Sequence, residues 1–404
     1  MNNEKEVFLY KLKYITAEGN YFIMERNYSI DFIKSFAIFA VVCIHTGTLS
    51  GVQIGAIHGD DADFIIDTFA RFAVPFFFVA SGYLFVQKIN SIAEKYPTEK
   101  TKQQINYFKK YTLKLVKLWL AWFTFYFLFD LTVKIIETDK TSQGLQTMFT
   151  DYIQNVFTWE LFYYGTGHSQ YHLWFLLALI WSIIILFIFI KIDSLALLAV
   201  ISLGLNIFGL FGQSYSTILE VNLETRDALF FGLFYIVLGG MLATHLNRVK
   251  AAAKRISTYI YIVLIILLSG IQVLEGYVTM KLWEGNAQNY FLATIPLIII
   301  LFMTIIKHNK LGKNTMISKI GANAVGIYVA HVFVMKFIGI MMTRFDLAYI
   351  EETIGWKLLF TPVVFILAYL MYAGIQILKG FTFQDIKQKI SKRKERQSAI
   401  SEYH

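Results

Sequence analysis

Three side chains in the apolar run SIDFIKSFAIFAVVCIHTG, residues 29–47, can carry charge: Asp31 and Lys34 near one end and His45 near the other. Lys34 and His45 are eleven residues apart. On a helix turning about 100° per residue they share a face, separated by about 16 Å of rise. A neutral imidazole in such a place can act as general base on a hydroxyl, or as a nucleophile that accepts a group and passes it on. Asp31 lies one turn before Lys34 and lowers the cost of an ammionium-bearing side chain inside the membrane boundary. That pair reads equally well as a snorkelling boundary marker or as the base of an anion site.

A second apolar run, DTFARFAVPFFFVASGYLF, holds Asp67 and Arg71 one turn apart. A guanidinium presents a fixed fork of donors to a carboxylate, a phosphate or a developing oxyanion, and Asp67 would orient it; the bland alternative is a structural ion pair. Pro75 should kink this helix, and Ser81-Gly82 should admit another backbone closely. His172 in SQYHLWFLLALIWS and His331 in GANAVGIYVAHVFVMKF complete a group of polar residues at one depth with His45 and Arg71. His172 also suits a place at the interface beside Trp174, and His331 an interhelical hydrogen bond. Asp130 and Lys336 are weaker candidates of the same kind. Ionisable residues inside a membrane are functional by default, so the elements that hold them come next.

The chain has 404 residues, of which 56% are hydrophobic and only 16% charged. No soluble globular class fits those values; an all-α, polytopic membrane helix bundle does. The single cysteine, Cys43, excludes an internal disulfide, and no Cys/His spacing suggests a metal site. The net charge of +9 is spread over short connections and the C-terminus, which argues against a nucleic-acid partner and for membrane topology. Apolar windows of about 20 residues fall near 30–50, 64–87, 111–136, 171–190, 194–212, 227–246, 256–275, 289–307, 317–342 and 354–378, making about ten spans. The connections 88–110, 247–255 and 307–319 and the C-terminal tail are basic, whereas 51–63, 137–170 and 345–356 are neutral or acidic. By the positive-inside rule both termini are cytoplasmic.

Residues 1–28 then form a cytoplasmic extension without signal-peptide character, in which Met24 is an alternative start; 29–378 form the membrane domain and 379–404 a basic cytoplasmic tail. The long outer connection carries Trp159, Phe162, Tyr163 and Tyr164, suited to an interfacial helix or to stacking on a sugar ring.

With these motifs in order, the chain resembles the acyltransferase 3 family of integral-membrane O-acyltransferases over roughly residues 28–378. The basic residue, ten others and a histidine of the first helix appear as Lys34 and His45; RFAVPFFFVASGYLF, YHLWFLLALI and GIYVAH resemble three further family motifs. The first basic residue is more often Arg in that family, and Lys34 keeps its charge without the bidentate fork. The resemblance implies a multi-pass protein of the bacterial plasma membrane that moves an acyl group, such as acetyl, from cytoplasmic acyl-CoA to a hydroxyl of an extracytoplasmic glycan. It implies no tightly bound cofactor. It further implies His45 and Arg71 as catalytic residues, Lys34 with Asp31 on the donor side, and Asp67, His172 and His331 in support. Some members carry an appended extracytoplasmic domain that completes transfer; here the expectation is that the chain acts alone or hands the acyl group to a separate partner. The rival from another class is a secondary transporter or flippase, although the halves show no paired Gly/Pro interruptions. A receptor or scaffold leaves the polar cluster unexplained.

Overall fold

The computed structural model describes residues 27–165 and 168–401. The expected extension 1–28 lies outside the described residues except for Asn27 and Tyr28. The described chain is helical throughout, apart from connections and one two-residue antiparallel pairing, Gln53–Ile54 (β1) with Ile57–His58 (β2).

Helix α1 spans Tyr28–Thr46. The Asn27 side chain caps its first turn by accepting from the Ser29 and Ile30 amides, and Gly47 ends it in the left-handed conformation at φ 59°. A broken helix follows, α2 (Gly59–Ala70) and α3 (Ala73–Lys95), interrupted at Arg71–Phe72. The expected kink at Pro75 is realised one turn earlier than the proline itself. Pro75 lacks the N–H that would bond to the Arg71 carbonyl, so the ladder opens there and Pro75 sits in the first turn of α3.

The chain continues through α4 (Lys100–Glu137), α5 (Ser142–Val156), the short α6 (Trp159–Tyr163) and a 3₁₀ turn, His168–Leu173. Next come α7 (Trp174–Lys191) and α8 (Leu195–Phe211). A π-helical turn, Ala228–Gly232, opens α9 (Leu233–Thr244), which is followed by α10 (Leu246–Arg255). Then α11 (Thr258–Gly276) runs into a second π turn, Tyr277–Leu282, before α12 (Thr294–Lys307), α13 (Met316–Ala322), α14 (Ala324–Arg344) and α15 (Ile354–Ser401). The expected basic tail is the continuation of α15.

Among the described residues, seven helical segments are long and apolar enough to cross a membrane: α1, α2 with α3, α4, Gln170–Lys191, Thr258–Leu282, α14 and the apolar part of α15. The pair α9 and α10 passes the same test together but bends by 86° at its break. Two further apolar helices, α8 and α12, are shorter. The short α10 is basic and buries only Ala253, as a helix lying along a surface would.

Without a hydrophobic drive between helices in lipid, small residues must let backbones approach. At the crossing of α3 with α9, a Cβ on Gly239 would meet the Tyr83 amide nitrogen at 2.7 Å and the Val79 carbonyl closer still. Gly82 answers from the other side, where a Cβ would run into the Ile236 backbone. Around this crossing Phe76, Phe78, Phe85, Phe231, Tyr235 and Phe302 are fully buried. Helix α1 is central, packing on α2, α3, α13, α14 and α15, and therefore holds its polar residues inside the bundle.

Candidate functional site

His45 lies in the last turn of α1, where hydroxyl contacts to α15 fix the helix end: Thr46 Oγ1 is 2.6 Å and Thr48 Oγ1 2.9 Å from Thr361 Oγ1. The His45 ring, partly exposed, meets two neighbours. Its Nδ1 is 3.3 Å from the Tyr171 hydroxyl, and its centroid is 5.0 Å from that of His331. His331 in turn is 5.2 Å from His172 between centroids. The three histidines separated by more than a hundred residues thus form a contiguous chain of rings.

The two links beyond His45 are buried, with His331 0% and His172 1% exposed. His172 therefore belongs to the interior and not to an interfacial belt beside Trp174. His331 Nδ1 lies 2.6 Å from the Tyr328 carbonyl oxygen. That contact requires the proton on Nδ1, which leaves Nε2 as a lone-pair acceptor, and Nε2 has no hydrogen-bond partner among the described residues. Next to His45 there is thus a buried ring ready to accept.

Tyrosines frame the histidines. The Tyr328 hydroxyl donates to the His172 carbonyl oxygen, and the Tyr126 ring lies edge-on to His172 at 5.1 Å. Tyr126 also enters the backbone of α14: its hydroxyl donates to the Val329 carbonyl at 2.8 Å and accepts from the Phe333 amide at 3.0 Å. Those two backbone groups are four residues apart, one turn of a continuous helix, so a single hydroxyl from α4 reaches both ends of the turn that carries His331.

Arg71 occupies the break between α2 and α3. Its Nε and Nη2 donate to Asp67 at 2.7–3.1 Å, forming a two-pronged ion pair in which the side chains are 16% and 11% exposed. Gln288 donates to the same carboxylate, and Arg71 Nη1 donates to Asn289 Oδ1 at 3.1 Å. Arg226, which no hydropathy window contains, donates to that same Asn289 oxygen at 3.1 Å. Both guanidiniums lie within electrostatic reach of His45.

Lys34 and Asp31 form a 3.7 Å ion pair at the opposite end of α1, with side chains 22% and 14% exposed. This end is docked onto α13 and the connection that precedes it. Ser29 Oγ donates to the His308 carbonyl, Ser35 Oγ to the Ile317 carbonyl, and Gly321 is pressed so closely on the Asp31 backbone that a Cβ would collide with it. The structure thus separates the expected donor-side pair from the histidines by the length of α1. Asp130 and Lys336 stand apart from both, in a groove between α4 and α14 shared with Glu137 and Arg344.

The outer aromatic residues divide. Trp159 and Phe162 on α6 are 89% and 56% exposed, whereas the Tyr163 hydroxyl turns inward to Asp227 Oδ2 at 2.6 Å. Tyr171, Tyr126, Tyr328, Arg226 and Asn289 were not singled out by sequence. Tyr171 and Tyr328 were within reach, one beside His172 and the other three residues before His331; Arg226 and Asn289 lie near helix ends and carry no periodic signal. Among the described residues no group of three or more His, Cys, Asp or Glu side chains is placed to hold a metal.

An amino-acid racemase from Enterococcus faecalis is 26% identical over 241 residues, which covers 56% of this chain and 29% of that protein. The chain spans less than a third of that relative's length, so similarity to it does not carry the racemase activity over. No solved structure is significantly similar. The family model described as an acyltransferase domain matches residues 27–373, a stretch that includes the histidine chain, both arginines and the Lys34–Asp31 pair. This apolar helical membrane protein belongs to the acyltransferase 3 family.

Proposed function

We propose that the chain transfers an acyl group, acetyl in the simplest case, from cytoplasmic acyl-CoA to a hydroxyl of an extracytoplasmic glycan, in the plasma membrane of a bacterium. The observation that carries this reading is the placement of reactive and anchoring groups at opposite ends of α1, with Lys34 and Asp31 at one end and the His45–His331–His172 chain at the other. In this reading each apolar helix, including α8, α12 and the bent α9–α10 pair, is one of ten spans, and both termini are cytoplasmic. The basic connections support that orientation. The Lys34 end then faces the anionic donor, and the histidines face the acceptor.

Transfer needs a base for the acceptor hydroxyl and stabilisation of the oxyanion formed at the acyl carbonyl. His45 takes the hydroxyl proton, or accepts the acyl group first. Where His45 acts as base, the alcohol oxygen attacks the thioester carbonyl, and collapse of the tetrahedral intermediate breaks the C–S bond and releases the thiolate, which takes the proton from His45 and leaves as the free thiol. Where His45 accepts the acyl group, its ring nitrogen displaces the thiolate, which leaves as the thiol with the imidazolium proton. The alcohol oxygen then attacks the acyl-imidazole, its proton going to the expelled imidazole. Tyr171 and His331 orient the His45 ring, and Asp67 orients Arg71. A separate extracytoplasmic partner can receive the acyl group where the final acceptor lies far from the membrane.

The test uses purified protein in lipid nanodiscs with radiolabelled acetyl-CoA and extracted surface glycan. Label in glycan esters that depends on His45 supports the proposal. Counterflow of a solute with no acylation would instead favour the transporter or flippase alternative.

A further inference from the structure

Arg226 is the cation that the site's internal pairing does not account for. It sits in the connection between α8 and the π turn before α9, with its guanidinium stacked over the Trp174 ring at 5.2 Å. Trp174 is two residues beyond His172. Among the described residues the Arg226 guanidinium donates one hydrogen bond, to Asn289 Oδ1, a neutral acceptor already shared with Arg71. Asn289 cannot turn away, because its amide nitrogen donates to Gln213 Oε1.

The two arginines differ in what balances them. Arg71 is held by the Asp67 carboxylate through Nε and Nη2. Arg226 has no carboxylate within ion-pair distance among the described residues. Its nearest acid, Glu224, accepts instead from the Arg226 backbone amide at 2.9 Å and from Gln213 Nε2 at 3.3 Å. Burial pulls the Arg226 pKa below the ordinary arginine range, Glu224 pulls it back, and a guanidinium keeps its charge under both influences. A partly exposed cation with no ion-pair partner among the described residues, offset by Glu224 without a direct contact, keeps charge that a permanently charged ligand can neutralise before any reaction begins. A transient oxyanion does so only at the transition state.

We propose that Arg226 recognises a carboxylate or phosphate group carried by the acceptor, so that the site selects acidic glycans over neutral ones. The inference rests on the acyltransferase reading for the identity of the anion as part of the acceptor. Arg226 lies within electrostatic reach of both His45 and Tyr171, so a sugar hydroxyl delivered to His45 brings an acidic group on the same or the adjoining ring towards the guanidinium. The unspent edge of its planar fork suits two acceptor oxygens.

The experiment titrates the full chain in nanodiscs with glucuronate, inorganic phosphate and glucose, following binding by calorimetry in the absence of any acyl donor. Glucuronate or phosphate should bind at least about tenfold more tightly than glucose, and Arg226→Gln should abolish the preference. Arg226→Lys, which keeps charge but loses the fork, should retain part of it. Binding of glucuronate assigns a carboxylate, and binding of phosphate alone assigns a phosphate-bearing acceptor. Equal binding of acid and glucose, or a preference intact in Arg226→Gln, overturns the proposal. With acylated acceptors, Arg226→Gln should raise KM for an acidic glycan about tenfold and leave kcat little changed. A fall in kcat at constant KM would mean oxyanion stabilisation and overturn it too. Should Arg226→Gln not fold, the acid-to-glucose comparison on the unmodified protein and Arg226→Lys still decides. Preference for acids without acyl transfer to any acceptor would sink the enzymatic reading and leave the anion site standing.

Discussion

The Asp67–Arg71 pair offers a quantitative test of how the polar site is held. Three guanidinium contacts of 2.7–3.1 Å reach the carboxylate, whose side chain is 11% exposed. An exposed pair of this kind contributes about 0–1 kcal/mol. Removing one partner of a buried pair costs about 3–5 kcal/mol, most of it the charge left behind. The slight exposure of both groups places Asp67→Ala and Arg71→Ala near about 3 kcal/mol each. The double variant should cost about 2 kcal/mol less than the sum of the two, because neither charge is then stranded. The cycle is read from unfolding curves of the four proteins in one detergent, with helix content as the signal. A coupling energy below about 0.5 kcal/mol would show that solvent or other partners compensate each charge, and would refute the view of Arg71 as already neutralised. That view is what leaves Arg226 as the open cation.

Replacing His45 by Ala should lower acyl transfer by about 10²–10⁴-fold in a monodisperse preparation; an unchanged rate removes it from the chemistry. Lys34→Gln should raise KM for acyl-CoA with little effect on kcat, and Lys34→Arg should preserve it, as measured by initial rates at varied donor; equal KM values would leave Lys34 as a boundary marker. Tyr126→Phe removes both contacts of the hydroxyl, to the Val329 carbonyl and the Phe333 amide, and should cost about 0.5–1.5 kcal/mol and speed exchange of the Phe333 amide hydrogen. Gly239→Ala drives a methyl into the α3 backbone and should destabilise by about 1–3 kcal/mol or more, whereas Gly270→Ala, with open space around its Cβ position, should stabilise by about 0.5–1 kcal/mol in the same unfolding assay.

Much of this architecture is written in hydropathy, because lipid demands apolar segments whose backbones satisfy themselves. Each apolar window is helical, although 64–87 and 317–342 each contain two helices, and residues such as His45 and His331 stand out as expensive exceptions within them. The i, i+4 spacing of Asp67 and Arg71 likewise marks a local pair that the structure contains. What hydropathy does not carry is the outcome of packing. Pro75 announces a disturbance, yet the opening falls at Arg71, where the carbonyl loses its donor. Arg71 meets Asn289 across 218 residues, and Arg226 meets Asn289 across 63. Arg226 lies between two apolar windows and Asn289 at the first position of another, so nothing local distinguishes them from ordinary connection residues. Tyr126 was hidden for the opposite reason, as one aromatic among many on α4.

The Tyr126 hydroxyl ties α14 to α4. Two backbone groups of α14 are joined through a side chain that belongs to α4, and they flank His331 in sequence, at 329 and 333. The turn that carries His331 is therefore tied to a neighbouring helix at both of its ends through one hydroxyl, so the position of that histidine is registered against α4 as well as within its own helix.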